Sequence, residues 1–183
     1  NVASLAFMIP LGLAEATTVR VGHALGRCDR DGLRRAAFAG YVLLLLTQSV
    51  SATIMVAGNH AIVGLYTRDA AAAALAASLL LYAAAFQFPD GVQVVSAGSL
   101  RGLKDTRVPM LLAALAYWGI GMPVGATLGF GLGGFTPALG PRGMWVGLIA
   151  GLVVAAVLLA TRFLRSSARV PISAPEGTLT SDA

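Results

Sequence analysis

The chain has 183 residues, of which 57% are hydrophobic and only 11% charged, with 22 glycines besides. A soluble domain carries about 25% charged residues. Too few polar side chains are present to cover a water-soluble globule, and the same shortage excludes a disordered chain or an ordinary nucleic-acid-binding domain despite the net charge of +5. The composition is that of an integral membrane protein.

Charge-free stretches cover 36–67, 70–89, 108–141 and 143–161, and 91–100 continues helically from 70–89 past a single acid, Asp90. A spanning helix needs about 20 mostly apolar residues. With the apolar start, the pattern predicts five spanning helices at about 2–24, 37–64, 71–99, 108–131 and 143–164. The domain organisation expected is thus a helical bundle over 1–165, followed by a disordered cytoplasmic tail over 166–183 that carries Pro171 and Pro175 without an apolar period.

Lys and Arg distribute over the successive connections and the tail as 5, 1, 3, 1 and 3. Such alternation is what the positive-inside rule requires, so the rich connections and the carboxy-terminus are expected in the cytoplasm. Asn1 then lies near the outer face, inside a hydrophobic run without an initiator methionine or signal-peptide features, and at least one helix is expected upstream. The lone Cys28 forms no internal disulfide.

In the first helix Glu15 precedes Arg20 by five residues, so it either lines an inner vestibule or snorkels toward neighbouring arginines. His23 and His60 fall near helix ends with no ligand partner at metal-binding spacing. The third helix holds the most informative residue. Asp90 stands about 16 Å from the cytoplasmic interface, counted along the helix from Arg101, close to the centre of the hydrocarbon. An acid at that depth should face a bundle interior or a wet cavity.

Gln87 and Gln93 flank Asp90 three residues to either side, and Pro89 should kink the helix and free the carbonyl of Ala85. A carboxylate, two amides and a free carbonyl suit a cation or a proton. Desolvation favours the neutral acid and a bound cation favours the carboxylate, so the two compete for one group, as in an antiporter. The competing reading is a structural one, an interhelical hydrogen bond from a permanently protonated Asp90.

Tyr66, Tyr117, Trp118 and Trp145 read as interfacial anchors, with Tyr117 or Trp118 deep enough to line a cavity. Glycines recur every four residues at Gly121, Gly125, Gly129 and again at Gly143, Gly147, Gly151, a pattern that serves either close static packing or a sliding seam. The run over 129–134 formally fits a dinucleotide fingerprint, but no strand precedes it and no acid follows at the right distance. No nucleophile, base and acid set marks an enzyme, and no cofactor is expected.

The stretches FMIPLGLA (7–14), TVRVGHALG (18–26), FQFPDGVQ (86–93) and GSLRGLKDTRVP (98–109) resemble the MATE (multidrug and toxic compound extrusion) transporters of the NorM type, over most of the chain. The resemblance implies an all-α integral membrane fold in which these five helices are the eighth to twelfth of twelve, an incomplete six-helix lobe; the amino-terminal helices are missing, among them the seventh, which supplies another acid of the site in some relatives. It further implies export of cationic or amphipathic organic compounds in exchange for Na⁺ or H⁺, with small-molecule organic cations and membrane lipid as partners and no nucleic acid.

On the same resemblance Asp90 matches the acid of the cation or drug site, and Phe86, Phe7 and Asn1 match positions bordering it. Gln87, Gln93 and Tyr117 join as the expected substrate cavity, with Pro89 as the helix kink, and the metal expected is at most Na⁺ at Asp90. Phenylalanine at position 7 lacks the hydroxyl of tyrosine found in some relatives. Two other readings stand beside this one: an exporter or flippase of a lipid-linked or polysaccharide intermediate, and a passive pore or structural membrane subunit. The absence of Lys and Arg from the interior of the spans, away from their ends, weighs against an anionic cargo.

Overall fold

A computed structural model describes residues 2–131 and 138–171, with side chains from residue 4 onward. Seven α-helices follow one another: α1 (Val2–Gly26), α2 (Arg30–Ala57), α3 (Asn59–Tyr66), α4 (Ala70–Gly102), α5 (Arg107–Ala116), α6 (Met122–Phe130) and α7 (Pro141–Ala168), with a π turn (Tyr117–Gly121) between α5 and α6. No strand occurs among the described residues. Five continuous helical stretches, with α5, the π turn and α6 forming one of them, are long and apolar enough to cross a membrane.

Three departures from the expected boundaries have physical causes. The run expected as one helix over 37–64 is two, because Gly58 (φ −89°, ψ 6°) leaves the helical path before α3 resumes at Asn59. At its other end α2 begins at Arg30, since Asp29 accepts from the Gly32 amide at 2.7 Å and caps the helix. The tail expected to be disordered from 166 is helical through Ala168, with Ser167 fully buried and Val170 9% exposed in the core with Leu33 and Ala37. Residues 172–183 lie outside the described part, as do 132–137.

The π turn is the one element with no counterpart in the sequence reading. Small buried residues of this span fall at Ala116, Gly121, Gly125 and Gly129, so the first interval is five and the others four. An i→i+5 turn, seen in the bond from the Met122 amide to the Tyr117 carbonyl, brings residues five apart onto one face. Ala116 and Gly121 thereby both face α7, where their backbone atoms lie beside Gly151.

Helix α4 is the spine, packing against α1, α2, α3 and α7. Lipid tails are as apolar as leucine, so association between such helices depends on close packing and hydrogen bonds rather than on the hydrophobic effect. Both devices run along α4. Thr18 Oγ1 donates to the Gly98 carbonyl at 2.9 Å from α1, Tyr41 and Ser96 hydroxyls pair at 2.7 Å from α2, and Asn59 Nδ2 donates to the Ala77 carbonyl at 2.8 Å from α3. A Cβ on Gly98 would meet the Ala14 carbonyl oxygen at 2.6 Å, so only glycine permits that approach of α1.

Candidate functional site

Midway along α4 the packing opens. A cavity of about 420 Å³ lies between α1, α2 and α4, bordered by Phe7, Gln48, Met55, Phe86, Gln87 and Asp90 among others. Antiparallel packing of α2 on α4 sets this level: Leu33 and Leu100 share the core at one end, Leu44 meets Gly91 in the middle, and Gln48 faces Gln87. Asp90 therefore sits deep in the span and opens on a cavity rather than on the outer helix surface.

Among the described residues Asp90 has no hydrogen-bond or ion-pair partner; the two ion pairs are Glu15–Arg101 and Asp105–Arg162. The structural reading of Asp90, an interhelical hydrogen bond, thus has no partner here. Phe86, one turn before the acid, is half-buried and meets Trp145 of α7 edge to face, with ring centroids 5.5 Å apart at 81°. Trp145, expected as an interfacial anchor, instead braces the aromatic wall of the cavity, whereas Trp118 and Tyr66 are largely exposed on the surface.

The expected cluster divides in two. Asp90, Phe86, Phe7 and Gln87 border the cavity. Gln93 turns instead toward the π turn, where its Oε1 accepts from the Tyr117 hydroxyl at 2.6 Å. Positions 87 and 93, each 60° from residue 90 but on opposite sides, are about 120° apart on a helix with 3.6 residues per turn, which is why one faces α2 and the other the π turn.

Pro89 lies within α4 and supplies no amide to Ala85, whose residue borders a separate outer cavity with Tyr82 and Arg142 rather than the one holding Asp90. The freed carbonyl expected beside the acid thus belongs to a residue on the other side of α4. Asn1 lies outside the described residues. Glu15 pairs with Arg101 at 3.0 Å across α1 and α4, both side chains substantially exposed, in keeping with a snorkelling acid. No group of three His, Cys, Asp or Glu able to hold a metal occurs among the described residues.

Gln48 is the residue that sequence reasoning passed over. It is 1% exposed, and its Nε2 donates to the Gln87 backbone carbonyl at 2.9 Å. The signal was available: Leu33, Ala37, Gly40, Leu44 and Met55 form the buried stripe of α2, and Gln48 is the one strongly polar side chain within it.

Comparison with known proteins fits this architecture. The MatE family model matches residues 1–127. The chain is 64% identical over 174 residues to a protein of Xanthomonas campestris pv. campestris named probable multidrug resistance protein NorM, covering 95% of this chain and 37% of that one. It is 47% identical over 169 residues to the multidrug resistance protein PmpM of Pseudomonas aeruginosa, covering 92% and 35%. The chain spans little more than a third of the length of these curated relatives.

Among solved structures, the eukaryotic MATE transporter AtDTX14 superposes with a TM-score of 0.80 at 21% identity, covering 92% of this chain and 38% of that one. An inward-facing multidrug resistance MATE transporter gives 0.79 at 19% identity, covering 91% and 38%. The fold is thus that of these helical membrane proteins. With a family model over more than two thirds of its length and five helices fit to span a bilayer, the chain belongs to the MatE family, a family of transporters and not of enzymes.

Proposed function

We propose that this chain forms five of the six helices of the carboxy-terminal lobe of a bacterial inner-membrane multidrug efflux antiporter, one that exports cationic or amphipathic organic compounds in exchange for Na⁺ or H⁺. The observation that carries the reading is the unpaired Asp90 carboxyl opening on a cavity between Phe7 and Phe86. Bacterial relatives named as multidrug resistance proteins support the same class of cargo.

A carboxyl in a low-dielectric cavity is stable either protonated or beside a positive charge. Coupling ion and organic cation then exclude one another at Asp90, while Phe7 and Phe86 offer apolar and aromatic surface to the cargo's rings. Exchange requires that only one of them is held at a time, and that the lobe faces alternate sides of the membrane with each. The basic connections support a cytoplasmic carboxy-terminus.

The test is uptake of a fluorescent organic cation by liposomes holding the full-length transporter, under an imposed Na⁺ gradient or pH gradient, with Asp90→Asn beside the wild type. Gradient-driven transport lost in the variant supports the antiporter and names its ion. Channel-like flux that ignores both gradients would replace this reading with a passive pore, and an unaffected Asp90→Asn variant would remove the acid from the mechanism.

A further inference from the structure

Two amide oxygens that border the Asp90 cavity are met by nothing among the described residues. Gln48 and Gln87 are 1% and 5% exposed, both border the cavity, and the Oε1 atom of each is buried without a hydrogen-bond partner among the described residues. Their amide nitrogens are spoken for: Gln48 Nε2 donates to the Gln87 carbonyl, and Gln87 Nε2 points at Met55 Sδ 4.0 Å away. The short hydrogen bond sets the Gln48 oxygen as the free end of its amide.

A buried acceptor without a donor is destabilising and native structures mostly avoid it. The buried stripe of α2 is otherwise filled by residues such as Leu44 and Met55, so an apolar side chain of similar length would serve for packing alone. Two unmet acceptors on facing helices, at the level of the acid, are instead matched to a donor that arrives from outside. Gln87 is suited to receive it, since its amide is held only by a long contact to the flexible thioether of Met55.

The chemistry narrows the visitor. Asp90 attracts any organic cation by charge. A quaternary ammonium or phosphonium presents only C–H to its surroundings, while a protonated primary or secondary amine, amidine or guanidine has N–H donors beyond those that one carboxylate takes up. Gln87 lies three residues from Asp90, within reach of the same cationic group, and Gln48 faces Gln87 from α2. We propose that Gln48 and Gln87 are a neutral acceptor arm of the Asp90 cavity, selecting cations that carry N–H donors over quaternary cations. The inference deepens the efflux reading and rests on it for transport, though not for binding.

The test compares dansylcadaverine, a primary ammonium at neutral pH, with its N,N,N-trimethyl counterpart, which keeps the fluorophore and the charge. Binding of each to the detergent-solubilised full-length transporter is read by fluorescence, and gradient-driven uptake is measured in parallel. The wild type should bind the primary amine about tenfold more tightly. That ratio should fall to about two or below in Gln48→Met and in Gln87→Met, and persist in Gln87→Glu, which keeps an acceptor oxygen.

A ratio near one in the wild type, no binding of either probe, or a ratio that survives both methionine substitutions overturns the proposal; the last would assign the preference to Asp90 alone. If one methionine variant does not fold, the other and Gln87→Glu still decide. A wild type that discriminates in binding yet transports neither probe would sink the efflux reading and leave the acceptor arm standing. Transport of both probes with equal affinity would do the reverse.

Discussion

Two contacts of this bundle solve the same problem in opposite ways. Where the π turn and α6 meet α7, Gly121, Gly125 and Gly129 lie against Gly143, Gly147 and Gly151, and the helices touch backbone to backbone. Where α1 and α2 meet α4, glycine contacts such as that of Gly98 with Ala14 are joined by side-chain hydrogen bonds from Thr18, Tyr41 and Gln48, and the interface leaves a cavity. Glycine contacts seal; polar contacts can hold helices together around a space. The site lies in the second kind of interface because only there is a polar side chain stable without filling the gap itself.

The largest effect expected on this contrast is at the centre of the glycine seam. A Cβ on Gly147 would run into the Gly125 backbone and stand 2.7 Å from the Gly121 carbonyl oxygen, obstacles that cannot move independently. Gly147→Leu should cost at least about 3 kcal/mol. Thermal unfolding of the purified full-length protein, with membrane yield, checks it; a stable, well-expressed variant would show that the seam is loose enough to slide. Next comes Asp90→Asn, expected to lower gradient-driven transport at least about tenfold through loss of the ionisable carboxyl. Its unfolding temperature should stay close to the wild type, because Asp90 holds no other helix among the described residues.

Tyr117→Phe removes the one donor to Gln93 Oε1 among the described residues and leaves a half-buried acceptor unmatched, so a loss of about 1–2 kcal/mol is expected in the same unfolding assay. Thr18→Val deletes the α1 bond to the Gly98 carbonyl and should cost about 0.6 kcal/mol, the average for such bonds within membranes. Smallest is Gly129→Ala. The neighbour of its added methyl is the flexible end of Met144, with Sδ at 3.0 Å, so repacking is offset by helix propensity and the net change should lie within about 1 kcal/mol. If Gly129→Ala and Gly147→Leu were equally harmful, the distinction between yielding and rigid neighbours would fail.

Much of the site was legible because Asp90 is an isolated acid in an apolar helix, and its depth follows from counting residues. Gln87 follows from helical spacing on the same element, and Phe86 from the family resemblance. Gln93 was misplaced for a related reason: three residues either way from Asp90 keeps each amide near the acid, but the two diverge from one another, and which neighbour each meets depends on where α2 and the π turn stand. Gln48 was absent from the reading because its importance arises on α2, 39 positions from Gln87, and exists only through the pairing of those helices. The brace from Trp145 to Phe86 likewise links residues far apart in the chain.

By itself the sequence determined the membrane class, the five spans and the acid at mid-depth, because hydropathy, length and charge are properties of each segment alone. Tertiary structure decided the rest. The break at Gly58, the π turn that brings Ala116 and Gly121 to one face, and the cavity between α1, α2 and α4 depend on which helix surfaces meet. In a bilayer that choice rests on small differences in close packing and on a few hydrogen bonds, to which a one-dimensional pattern of apolar residues is nearly blind.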